Sequence, residues 1–189
     1  MADTSSLKKG VAIKNENKIW FVIDVFFVSP GKGAAFFRTR LKEIGTGKVV
    51  EKTFKSGEPI ELIDTERKNV QFLYKDKGHF IFMDEENYEQ YSIDENIASD
   101  NVCKFMKEND RMILLYAAGE IMDIEFKSAK NIYTVTEAAP GIKGDTATNT
   151  TKAVKLETGA ELQVPLFIKE GDKVLVNVDT GAYCERAKE

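Results

Sequence analysis

Residues 18–44 read KIWFVIDVFFVSPGKGAAFFRTRLKEI. The first part, 18–28, is rich in β-branched and aromatic side chains, the composition of a buried strand. Ser29-Pro30-Gly31-Lys32-Gly33 then gathers one proline and two glycines, which marks a turn or loop tip. From Ala34 onward the pattern alternates with period two. Ala35, Phe37, Thr39 and Leu41 fall on one face, and Phe36, Arg38, Arg40 and Lys42 fall on the other. Strand, glycine loop and strand make a hairpin arm, and with it an all-β expectation.

The same grammar extends outward. GTG (45–47) turns the chain into a strand over 49–56, and IELID (60–64) is a further short strand, so residues 1–64 read as a small twisted barrel. Residues 65–127 form a second unit. NVQFLY (69–74), the turn KDKG (75–78) and HFIFMD (79–84) make one hairpin, and 111–126 make another that turns at AAGE. Between them, 99–109 reads as a short helix capped by Ser99 or Asp100, with Val102, Phe105 and Met106 inward. Short strands with one short helix suit an OB-type barrel. Residues 128–189 form a third unit: a strand over 131–138, a polar Gly- and Thr-rich loop over 139–152, and strands within 153–168 and 173–187.

Several function classes fall away on composition. No apolar run approaches the ~18 residues of a membrane span, and MADTSSLKKG lacks the apolar stretch of a signal peptide, so a cytoplasmic location is expected. Cys103 and Cys184 have no metal-ligand spacing and read as reduced thiols. The single histidine, His79, lies in an alternating segment and reads as a strand residue. One histidine and two scattered cysteines do not build a typical zinc site, and neither a metal nor a cofactor is expected. The loop is no phosphate-binding GxxxxGK[ST] motif, since Ala34 follows Gly33 and no hydroxyl is in place for Mg²⁺. Acidic neighbours such as Glu85 and Glu86 read as a solvated face rather than an acid–base pair.

The formal charge is −4, yet the charge is unevenly spread. By unit it runs +3, −6 and −1, and residues 29–55 alone carry +5. A basic patch on an acidic chain is an asymmetric electrostatic footprint. From spacing alone, SPGKG is a glycine-assisted hairpin with an exposed lysine. The functional alternative also has a physical basis. Glycines let a backbone approach another surface closely, Pro30 stiffens one arm, and Lys32 at the apex is a long point charge with three donors. Beside it, Arg38, Arg40 and Lys42 could hold phosphates, which suits recognition of folded RNA by shape and backbone.

Four motifs in chain order carry a family resemblance: PGKGAAF (30–36) with VVEKTFKSGE (49–58), FMDEENYEQ (82–90), PGIKGDTA (140–147), and LETGAELQVPLFIKEGDKVLVNVDTGAY (156–183). In these the chain resembles the elongation factor P family almost end to end. The resemblance implies an N-terminal SH3-like (KOW-type) barrel and two OB-fold barrels in an L shape. It implies a monomeric, non-enzymatic factor that binds the 70S ribosome between the P and E sites, touches ribosomal RNA and P-site peptidyl-tRNA, and relieves stalling at consecutive prolines. Lys32 aligns with the family's loop tip, which many members carry as a modified lysine, so a lysine-modifying enzyme is a further implied partner. Pro30, Gly31 and Gly33 align with the tip's flanks. Gly144, Asp145 and Thr146 match a loop placed near the E-site codon, and Tyr183 and Arg186 match positions near the P-site tRNA. Ser29 departs from the lysine common at its position. Two rival readings are a general OB-fold binder of single-stranded nucleic acid and an enzyme with a lysine nucleophile. The first is opposed by a charge of −7 over 65–189. The second is opposed by the absence of burial that would depress the lysine's pKa.

Overall fold

The structure is a computed structural model that describes residues 2–44, 46–138 and 151–187. It is almost entirely β, in three sheets. The first has strand order β1-β6-β2-β3-β4-β5, built from β1 (Ala2–Asp3), β2 (Ala12–Asn15), β3 (Lys18–Val28), β4 (Phe36–Glu43), β5 (Val49–Lys55) and β6 (Pro59–Ile63). Every pairing in it is antiparallel. The second has order β11-β10-β7-β8-β9, from β7 (Thr65–Asp76), β8 (His79–Asp84), β9 (Gln90–Asp94), β10 (Arg111–Ala117) and β11 (Glu120–Phe126). The third has order β14-β13-β12-β15-β16, from β12 (Lys130–Ala138), β13 (Thr151–Leu156), β14 (Glu161–Pro165), β15 (Lys173–Asn177) and β16 (Ala182–Arg186). The chain clusters into two compact units, one of Met1–Lys68 with Leu114–Ile124 and one of Asn69–Ile113 with Glu125–Glu189.

Turn chemistry closes these hairpins tightly. Lys77 and Gly78 have φ of +45° and +83°, the left-handed pair of a two-residue type I′ connection, so Asp76 pairs directly with His79. The sequence pattern placed this turn over 75–78, and the strands run further into it. Ala118 and Gly119 make the corresponding connection between β10 and β11, with φ of +49° and +82°. The expected helix is α1 (Asp100–Phe105). Ser99 is its cap, its hydroxyl accepting the Val102 amide at 3.3 Å.

In the first sheet, alternation delivers Ile13, Trp20, Val22, Leu41, Phe54 and Ile60 to one core with Leu7, and Val25, Phe37 and Val50 pack against its edge. In the second compact unit, α1 joins the second and third sheets. Phe105 lies 5.7 Å from Tyr133, centroid to centroid, and its ring edge sits 3.4 Å from where a Cβ on Gly181 would stand. Asn101 donates its side-chain amide to the Asp179 carbonyl at 2.7 Å, and the Lys107 ammonium donates to Glu157 at 2.8 Å and to the Ile132 carbonyl at 3.2 Å.

The Tyr133 hydroxyl is buried with no well-formed hydrogen bond among the described residues, and burial pushes its pKa well above the usual phenol range, with the nearby Asn131 side chain opposing the shift in smaller part. An unsatisfied buried hydroxyl is costly. Tyr133→Phe is therefore expected to hold or raise stability, by up to ~1 kcal/mol, read as an unchanged or higher urea midpoint.

Candidate functional site

The arms of the lysine loop are fixed by register. β3 and β4 pair from Trp20 with Glu43 out to Val28 with Phe36, with a bulge at Ile23 between Val22 and Asp24. The loop proper is therefore Ser29–Ala35. Positions 29 to 34 of it are all exposed, Lys32 included. Lys32 makes no hydrogen bond or ion pair with any described residue, so its ammonium is free to engage something outside the chain.

Only one flanking glycine uses its conformational freedom. Gly33 sits at φ +114°, outside the range side chains adopt readily, whereas Gly31 has no left-handed φ and open space where a Cβ would stand. The two substitutions should therefore separate. Gly31→Ala is expected to be neutral, within ~0.5 kcal/mol. Gly33→Ala is expected to cost ~1–3 kcal/mol of local strain, relieved by a redirected tip. Amide chemical shifts over 29–35 distinguish them, and equal perturbation by both would contradict the assignment.

The basic stripe expected from alternation is real in its facing but uneven in its freedom. Arg38 is exposed, registered between Phe26 on β3 and Thr53 on β5. Arg40 is exposed too, but lies in register between Asp24 and Glu51, so carboxylates flank its charge on both sides. Lys42 is half-buried, and its ammonium donates to the Met122 carbonyl at 3.3 Å. Burial pushes the Lys42 pKa down, and the nearby Asp123 carboxylate opposes that shift. Among the described residues, Lys32, Arg38 and Arg40 make no hydrogen bond or ion pair, Arg40 being the one with carboxylates beside it in register, and Lys55 on β5 stands opposite Phe36. Lys55 is exposed and escaped the sequence reading because register, not spacing, places it there.

A second correction concerns 18–28. Read as a buried strand, it is buried only in its first half: Trp20, Phe21 and Val22 are inside, while Phe26 is 53% exposed and Phe27 58%. The cause is the sheet edge. β2 pairs with β3 only over Lys18–Phe21, so nothing in the first sheet covers the distal half of the strand on that side.

The other expected site residues belong elsewhere. Tyr183 is half-buried and Arg186 exposed, both on β16 in the second compact unit. The Arg186 guanidinium pairs with Asp172 at 2.8 Å. Burial pushes the Tyr183 phenol upward. Gly144, Asp145 and Thr146 lie outside the described residues. His79 opens β8 as a strand residue, and both cysteines are exposed and unpaired with each other. No cluster of His, Cys, Asp or Glu suited to a metal ion occurs among the described residues, and no helix among them is long and apolar enough to cross a membrane.

Three family models match the chain. "Elongation factor P (EF-P) KOW-like domain" covers residues 3–60, "Elongation factor P (EF-P) OB domain" covers 65–124, and "Elongation factor P, C-terminal" covers 132–186. The chain is 41% identical over 187 residues to Elongation factor P of Desulfitobacterium hafniense (strain DSM 10664 / DCB-2), covering 99% of this chain and 100% of the relative. It is 44% identical over 186 residues to Elongation factor P of Synechococcus sp. (strain JA-3-3Ab), covering 98% and 100%. Among solved structures, eukaryotic translation initiation factor 5A from Methanococcus jannaschii aligns with a TM-score of 0.44 at 20% identity, over 66% of this chain and 91% of that one. An all-β chain that opens on a KOW-like domain with a cationic glycine loop and runs on into an OB domain is, by class, a translation factor. Within that class it belongs to the elongation factor P family.

Proposed function

We propose that this factor binds the 70S ribosome between the P and E sites and brings Lys32 to the peptidyl-tRNA acceptor end, where it speeds peptide-bond formation at consecutive prolines. The observation that carries the reading is the exposed Lys32 ammonium, bonded to no described residue, on a loop whose arms are locked in a sheet. Proline is a poor nucleophile and a stiff donor, so its reactants adopt unproductive geometries. An ordering contact lowers the barrier by pre-arranging both substrates, an effect worth up to several kcal/mol. The ribosome performs the chemistry, and this chain supplies position, so it is no enzyme itself.

In this reading the chain acts as a cytoplasmic monomer of three domains, 1–64, 65–127 and 128–189. Arg38 contacts RNA phosphate beside the tip, with Arg40 and Lys42 contributing less because of their intramolecular neighbours. Gly144, Asp145 and Thr146 face the E-site codon, and Tyr183 and Arg186 approach the P-site tRNA. A modifying enzyme that lengthens Lys32 would extend its reach and add donors. The test is a reconstituted ribosome stalled on a Pro-Pro-Pro codon run. Adding the wild-type factor is expected to raise the rate of the stalled step about a hundredfold, equivalent to ~3 kcal/mol. No acceleration at saturating factor would sink the proposal.

A further inference from the structure

The distal half of the lysine arm carries a feature that the loop-tip reading leaves unused. Phe26 and Phe27 are adjacent on β3, so their rings stand on opposite faces of the sheet. Each is more than half exposed. Phe27 leans on Phe37, its cross-strand partner, with ring centroids 5.0 Å apart and planes tilted by 50°. Phe26 is the cross-strand neighbour of Arg38. A lone exposed ring is unremarkable. Two rings on opposite faces, at the free edge of the strand that leads to Lys32, are a different matter: no single partner surface laid against one face would cover both.

Charge identifies the partner. From Val25 to Thr39 the arm holds no carboxylate and two cations, Lys32 and Arg38, and Lys55 adds a third from β5 beside Phe36. The first acidic neighbours in register, Asp24 and Glu51, both flank Arg40, further down the arm. Aromatic rings interleaved with lysine and arginine, with carboxylates only at the margins of the arm, Asp24 on the Val25 amide and Glu58 on the Lys55 amide, match unpaired bases strung on a phosphate backbone. Stacking on such rings tolerates any base, because every base presents a π-face. A protein surface rich in basic side chains would be repelled here.

We infer that Phe26 and Phe27 are RNA-stacking residues, which grip unpaired nucleotides on both sides of the inserted arm and hold Lys32 at its working depth. The inference rests on the ribosomal reading above and deepens it by assigning positioning residues that spacing did not reveal. Lys32 then acts at the tip, and the two rings set how long and how squarely the tip stays in place.

Three measurements on the full chain test it. Phe26→Ala and Phe27→Ala are each expected to raise the factor concentration for half-maximal Pro-Pro-Pro synthesis about tenfold. The maximal rate should fall less, and the melting temperature should stay within about two degrees because both rings are solvent-facing. Phe26→Trp and Phe27→Trp should restore the wild-type curve, since a larger ring stacks at least as well. Photo-crosslinking with p-benzoylphenylalanine in place of Phe26 or Phe27, in factor bound to ribosomes carrying peptidyl-tRNA, should label RNA. Alanine variants that match wild type at every concentration overturn the inference while the elongation reading stands. Crosslinks confined to ribosomal protein, or no crosslink from either position, overturn it as well. A wild-type chain that fails to accelerate the reaction sinks the elongation reading instead, and the crosslink still decides whether these rings meet RNA.

Discussion

Lys32→Ala is expected to abolish the acceleration of Pro-Pro-Pro synthesis, a loss of about a hundredfold at the stalled step, while leaving the fold untouched. The size follows from the role. If the ammonium supplies the ordering contact at the reacting ends, truncating it to a methyl group removes that contact and leaves the remaining contacts of the factor in place. The tolerance of the fold follows from the structure. Lys32 is exposed and bonds to no described residue, and such surface positions usually change stability by no more than ~0.5 kcal/mol. The informative pattern is a rate that falls at saturating factor with ribosome binding nearly retained. Full rescue by the alanine variant would remove Lys32 from the mechanism. Lys32→Arg tests the finer point: a planar guanidinium keeps the charge but not the compact, three-donor geometry, so partial activity is expected.

Phe54→Ala is the most damaging single change expected for the first sheet. Phe54 is 1% exposed and pairs across β4–β5 with Phe37, the ring that supports Phe27. Removing it strips a buried ring and leaves a cavity, which costs ~3–5 kcal/mol. A loss of this size is a large fraction of the stability of a small domain. The arms of the loop lose their support, and urea denaturation should show a lowered midpoint for the first compact unit. The factor should also lose activity as the temperature rises, although Phe54 touches no partner. A midpoint within error of wild type would mean that Phe54 is not a keystone of that core.

Much of this arrangement was legible before any coordinates, and the pattern of what was not is physical. Strand β3 was readable to the residue because a β-branched and aromatic run stops at Ser29-Pro30-Gly31. The facing of Arg38, Arg40 and Lys42 was readable because the side-chain period of a strand is two. The short helix was readable from Ser99 and the spacing of Val102 and Phe105. Inaccessible were the properties that depend on register. The bulge at Ile23 decides that Asp24 meets Arg40 and Phe26 meets Arg38, and no local pattern announces a bulge. The Lys42 contact with Met122 joins residues eighty apart, and no periodicity connects them. An apolar run also cannot say which half of it loses its neighbouring strand, so Phe26 and Phe27 read as interior. The loop and its exposed lysine were thus visible in the residue types, and their surroundings became visible only as pairing.

Helix α1 has a consequence for how the larger unit comes apart. It clamps two sheets at once, through Phe105 against Gly181 and Tyr133 and Asn101 on the Asp179 carbonyl, with Lys107, two residues past its end, on Glu157. Neither sheet can open at that seam without baring Phe105 and stranding the lysine. The parts of the two sheets that belong to this unit are therefore expected to melt together rather than separately, and damage confined to either weakens both.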